Sequence, residues 1–126
     1  MTVALWCVLI AAILPLLATG VAKFVGTQGR YDNRDPRAFL ERQQGLSRRA
    51  DNAQKNSFEA FPFFAAGVIV AQMLMAPQAQ VDAAAVVFIL ARLAYLAAYL
   101  ADRPGLRSAV WTVGWLCCVI LFLLGA

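Results

Sequence analysis

Residues 83–101 read AAAVVFILARLAYLAAYLA, a run of about 19 residues broken by one charge, Arg92. At 1.5 Å rise per residue such a run matches the roughly 30 Å hydrocarbon core of a bilayer. It does not alternate polar with apolar, as a membrane strand of about 10 residues would. It therefore predicts a transmembrane helix. Three further runs have the same character and no charge at all: 1–22, 60–81 and 108–126. The expectation is an all-α integral membrane protein, a bundle of four transmembrane helices forming a single domain over 1–126. The spans are placed at about 2–22, 47–76, 81–101 and 107–125, with a polar loop at 23–46.

Composition agrees. The chain has 126 residues, 62% hydrophobic and 14% charged, where a soluble domain runs nearer half and a quarter. The first run lacks a basic start and is too long for the apolar region of a signal peptide, so it is expected to stay as a helix. No His is present, which excludes imidazole as base, shuttle or ligand. Cys7, Cys117 and Cys118 lie in apolar runs without zinc spacing and read as small buried hydrophobes. No metal site is expected.

The formal net charge of +4 is concentrated rather than spread, which argues against a nucleic-acid partner. Eight of the eleven basic residues lie between the first two runs: Lys23, Arg30, Arg34, Arg37, Arg42, Arg48, Arg49 and Lys55. The connection at 77–80 has none, and that at 102–107 has Arg103 and Arg107. By the positive-inside rule the first and third connections face the cytoplasm and both termini the opposite side. Within the long connection, TQGRYDNRDP at 27–36 is rich in turn formers and should be irregular. The second helix should begin before the membrane, near Ser47.

Two polar stripes cross the apolar pattern. Arg49, Asn52, Asn56 and Glu59 are spaced 3, 4 and 3, as are Arg92, Tyr95, Tyr99 and Asp102. Each spacing puts its members on one helix face. A solvated helix end is one reading of the first stripe, and an inward polar site the other, since ionisable groups near hydrocarbon face a bundle interior. Arg92 would cost about 2.5–3.5 kcal/mol unpaired. Glu59, on the same or another subunit, is a candidate partner, and a purely structural ion pair is the plain alternative. Tyr95 and Tyr99 could equally be interfacial aromatics. Arg107 and Ser108 open the last helix at the same depth. A guanidinium there could snorkel to headgroups, bind carboxylates through its fork, or favour a thiolate.

Two segments resemble the membrane-associated proteins in eicosanoid and glutathione metabolism. RADNAQKNSFEAFPFFAAGVIVA, 49–71, has that family's Arg, then N-x-x-E, then an aromatic–Pro pair. ARLAYLAAYLADRPGLRS, 91–108, resembles its A-R-x-x-Y-x-x-x-Y helix followed by a turn and L-R. The resemblance implies a homotrimer that binds glutathione between subunits near the cytoplasmic face. The residues carried over are Arg49, Asn52, Asn56, Glu59, Arg92, Tyr95 and Tyr99 as glutathione contacts, with Arg107 and Ser108 at the sulfur. Asn52 stands where several members have a second Arg, and Arg48 where they have Glu, which implies a weaker anion grip. The likeness is greater to bacterial members, implying a bacterial inner membrane.

The function so implied is a glutathione transferase or peroxidase acting on lipophilic electrophiles or lipid hydroperoxides drawn from membrane lipids. The alternatives are a non-catalytic lipid-binding or scaffold member, and a small proton-coupled exporter using Glu59. Exporters of that size usually carry the key Glu in the first helix, which here has no charge. The topology is tested by single-cysteine labelling in a cysteine-free background. Asn33→Cys and Ala79→Cys are expected to react with an impermeant reagent from opposite sides, and labelling of both from one side refutes the orientation.

Overall fold

The structure, a computed structural model, describes all 126 residues. It is all-helical: α1 (Val3–Phe24), α2 (Pro36–Glu41), α3 (Gly45–Met73), α4 (Gln78–Leu100) and α5 (Pro104–Leu124). Each start has a local cause. Thr2 accepts the Leu5 N–H at the head of α1, and Asp35 accepts the Ala38 N–H at the head of α2, whose first residue is Pro36. Pro104 opens α5. Proline suits that position because its missing N–H would have no partner there. Gly45, at φ +57°, turns the chain into α3.

Three helices, α1, α4 and α5, are long and apolar enough to cross a membrane. The sequence leads to an expectation of four. The difference lies in α3, the longest helix at 29 residues. Its first half carries Arg48, Arg49, Asp51, Lys55 and Glu59, so only its second half is continuously apolar. The polar connection is placed as a loop at 23–46 by the sequence, which also turns helical in character from Arg37, where few β-branched residues and no Pro occur before Pro62. It is irregular over 25–35, as its turn formers predict, but contains the short helix α2 before a break at 42–44.

The bundle pairs α4 with α5 and α1 with α3 most extensively. Small residues bring the helices close. A Cβ on Gly67 of α3 would lie 3.1 Å from Leu121 Cβ of α5, and one on Gly114 of α5 would touch Ala91 and Phe88 of α4. Phe64 and Phe88 stack at 3.8 Å between centroids, in a core that also holds Cys7, Cys117, Cys118, Val68 and Leu121. The cysteines are buried and unpaired, as their apolar context predicts. The outer faces are apolar too: Trp6, Ile13 and Leu16 on α1, Leu90 and Leu93 on α4, Trp115 and Ile120 on α5 are all exposed. Between lipid-facing helices, van der Waals fit replaces the hydrophobic effect as the adhesive, which is why glycine and alanine sit at the contacts.

The long connection is tied down by Gln43, which is fully buried. Its Oε1 accepts the Gln28 N–H at 3.0 Å, and its Nε2 donates to the Gln28 and Phe39 carbonyls at 2.9 and 2.8 Å. Ser47 Oγ donates to the Ala22 carbonyl at 2.6 Å, joining the start of α3 to the end of α1. Gln43→Leu keeps the volume but leaves both backbone groups of Gln28 without their partner. Each lost bond costs on the order of 1 kcal/mol, so tryptic cleavage at Arg30 and Arg34 in the folded protein should accelerate roughly tenfold or more. An unchanged cleavage rate would show that Gln43 does not hold the connection.

Candidate functional site

Arg92 is 5% exposed, on α4. Its Nη1 donates to Asn56 Oδ1 and its Nη2 to Ser57 Oγ, each at 3.1 Å, and the Tyr95 ring lies 4.3 Å from the guanidinium. Ser57 in turn donates to the Ala53 carbonyl at 2.8 Å. The buried cation is thus held by neutral acceptors and an aromatic face. Glu59 does not pair with it directly, because the rotation of α3 presents Asn56, one turn earlier, to Arg92. Asn56 Nδ2 donates to Glu59 Oε2 at 3.4 Å, so one amide links cation and carboxylate. Its orientation follows from chemistry: guanidinium can only donate, so the amide oxygen must face Arg92.

Tyr95 and Tyr99 meet edge to face at 5.6 Å, and the Arg107 guanidinium lies 4.5 Å over the Tyr99 ring. Cation–π contacts of this kind contribute about 0.5–2 kcal/mol, more when desolvated. Arg107 forms no ion pair, since the one pair in the protein joins Lys55 to Asp51 at 2.7 Å. Ser108, beside it, is exposed.

Two adjoining clefts result. One, of about 370 Å³, is lined by Asn56, Tyr95, Arg107, Ser108, Trp111 and Thr112. The other, of about 230 Å³, is lined by Glu59 and Arg92 at its polar end and by Phe63, Phe88, Trp111 and Trp115 along its apolar walls. They share Asn56 and Trp111. Of the residues singled out in sequence, Asn56, Glu59, Arg92, Tyr95, Tyr99, Arg107 and Ser108 come together here. Arg49 lies apart and donates through Nε and Nη2 to the Leu100 carbonyl, at 3.4 and 3.2 Å, closing the end of α4. Asn52 is half-buried and lines neither cleft. Ser57, Trp111 and Trp115 are additional. Ser57 adjoins the Asn56 stripe, while the tryptophans lie in a run without charge and carry no sequence contrast.

Comparison with known proteins adds the family. The model of the MAPEG family matches residues 3–126, and the chain belongs to that family. It is therefore a membrane protein of a group that includes glutathione transferases and peroxidases among other members. Neither the curated proteins nor the solved structures contain a match.

The Asn56 bridge has a measurable consequence. Asn56→Leu leaves Arg92 short of an acceptor, and hydrogen bonds to charged groups contribute about 1.5–3 kcal/mol. The thermal midpoint in detergent should fall, and Arg92→Met in the Asn56→Leu background should recover part of the loss by removing the stranded charge. A double variant no more stable than Asn56→Leu alone would refute the coupling.

Proposed function

We propose that this MAPEG-family chain is a glutathione-dependent enzyme that transfers glutathione to a lipophilic electrophile or reduces a lipid hydroperoxide. The observation that carries this reading is the Arg107 guanidinium, oriented by Tyr99 without a carboxylate, at a polar cleft that adjoins an apolar one. Glutathione offers two carboxylates, one ammonium, two amides and a thiol. The chain's groups fit that inventory. Arg107 keeps its donors, Glu59 is an exposed carboxylate engaged only by Asn56, and Asn56 in turn is held by Arg92.

Bound glutathione supplies the nucleophilic sulfur. Arg107 would hold that sulfur as thiolate, since its cation attracts the charged form over the neutral thiol. Ser108, which lines the same cleft, would donate a second hydrogen bond to the sulfur through Oγ–H. Glu59 would take the ammonium group. Phe63, Trp111 and Trp115 form the wall along which an apolar substrate enters from the bilayer. A homotrimer, with α3 as the fourth crossing and the polar clefts closed by a neighbouring subunit, supplies the further contacts that a peptide of this size needs. With the basic connection at 23–59 on the cytoplasmic side, these clefts would face the cytoplasm, in a bacterial inner membrane.

Arg107→Ala is expected to lower turnover with glutathione and a hydrophobic aryl halide about 100-fold while changing calorimetric glutathione affinity less than about threefold. Losing two units of thiol acidity corresponds to roughly 2.7 kcal/mol. Arg107→Lys should fall between, since charge survives without the fork. Glu59→Gln should instead weaken glutathione binding. Turnover unchanged in Arg107→Ala would refute the catalytic assignment, and lipid retention without any glutathione affinity would favour the lipid-binding alternative.

A further inference from the structure

The connection between α1 and α3 builds a second concavity, which shares no lining residue with the clefts of Arg107 and Arg92. It has a volume of about 830 Å³ and is lined by Arg30, Tyr31, Asp32, Arg34, Asp35 and Arg42 among others. Its framework is fixed. Tyr31 is clamped between the Lys23 ammonium, 5.2 Å from its ring, and the edge of Phe39 at 5.4 Å, and its hydroxyl donates to Asn33 Oδ1 at 2.8 Å. The Arg42 guanidinium lies over Gly29, where an added Cβ would sit 3.5 Å from Nη2. Gln43 and Gln28 lock the base of the loop.

The cleft carries three guanidinium groups against two carboxylates, an excess of positive charge, and none of these groups is joined in an ion pair. Asp32 accepts the Arg34 backbone N–H at 2.9 Å and Asp35 the Ala38 backbone N–H at 3.1 Å. Neither forms an ion pair, and no carboxylate lies within 4.0 Å of Arg30, Arg34 or Arg42. Three arginines therefore line one space without an ion pair in the protein, and guanidinium forks match phosphate oxygens in pairs. The location supplies the anion. The loop follows directly on α1, a helix of membrane-spanning length, and Ser47 holds the start of α3 against the last turn of α1. Phe24, the last residue of α1, is 91% exposed. A cationic cleft in the loop that follows an exposed aromatic residue at a helix end has the polarity of the headgroup layer, where anionic lipids gather basic segments.

We propose that this cleft binds the phosphate of an anionic phospholipid, with Arg30, Arg34 and Arg42 on the headgroup and Phe24 among the upper acyl carbons. The site is independent of glutathione, and glutathione affinity is expected to be the same in every variant below.

The full chain, purified in detergent, is mixed with equimolar short-chain phosphatidylglycerol and phosphatidylcholine and weighed intact by native mass spectrometry. Phosphatidylglycerol should be retained at least about tenfold better, and Arg30→Gln with Arg34→Gln should reduce its retention by about tenfold or more. Arg103→Gln, at the α4–α5 turn outside the cleft, should leave retention within about twofold. Inorganic phosphate at millimolar concentration should not displace the lipid. Equal retention of the two lipids, an Arg103→Gln effect as large as that of the double variant, or displacement by inorganic phosphate would each overturn the proposal. If the double variant does not fold, Arg30→Lys with Arg34→Lys keeps the charge and removes the forks. Retention should still fall, and undiminished retention overturns the proposal.

Discussion

A guanidinium buried on a helix of membrane-spanning length has to find its hydrogen-bond partners within the bundle, because hydrocarbon offers none. Arg92 finds Asn56 and Ser57 on α3 and the face of Tyr95 on its own helix. Those contacts fix how α3 is rotated and how far it is shifted along α4. Once Asn56 is opposite Arg92, Glu59 emerges one turn further along the same face, at the polar end of a cleft. Tyr95, held against the guanidinium, meets Tyr99, and Tyr99 carries Arg107 of α5. A single buried charge thereby sets the positions of polar residues on three helices.

The helix ends impose a second demand of the same kind. Terminal N–H and C=O groups have no partner within their own helix, and side chains from neighbouring helices supply it. Asp82 of α4 accepts the Ala4 N–H at 2.8 Å, Ser47 of α3 donates to the Ala22 carbonyl, and Arg49 donates to the Leu100 carbonyl. Each contact seals the end of one helix with a residue of another. Asp82, Ser47 and Arg49 are thus committed to the assembly of the bundle, while Asn56, Glu59 and Arg107 line open clefts.

What the sequence made legible follows from the same physics. Long charge-free runs mark membrane-length helices because a helix in lipid has few polar choices. The stripes of Asn56 and Glu59 and of Arg92, Tyr95 and Tyr99 are visible because helical spacing depends on sequence alone. Which member of one stripe meets which member of the other is not visible, since it depends on the axial offset of two helices, and the offset selects Asn56 for Arg92 where charge alone suggests Glu59. The fates of Gln43 and Arg49 are hidden for a like reason: their acceptors are backbone carbonyls, which every residue possesses. Trp111 and Trp115 stand in a run that is apolar throughout, so nothing distinguishes a cleft wall from a lipid-facing surface. The polar half of α3 shows the converse, a helix whose length is legible while its relation to the membrane is not.

Arg92 and Arg107 illustrate how one residue type serves two ends. Arg92 directs donors to acceptors fixed in the protein and is almost closed to solvent. A ligand anion would have to compete with Asn56 and Ser57 for it, and any gain would be offset by the bonds given up. Arg107 is half-buried, with an aromatic ring beneath it and no side-chain acceptor in the protein. A ring face orients a guanidinium without neutralising it, because the interaction is with the quadrupole and leaves the in-plane N–H groups unused. An anion arriving in the cleft therefore meets a cation already positioned and not yet satisfied. Pre-organised charge of this kind avoids reorganisation at the moment of reaction. That difference in how the two cations are held, rather than their shared charge, makes Arg92 the residue that sets the geometry and leaves Arg107 with the free donors on which the proposed function rests.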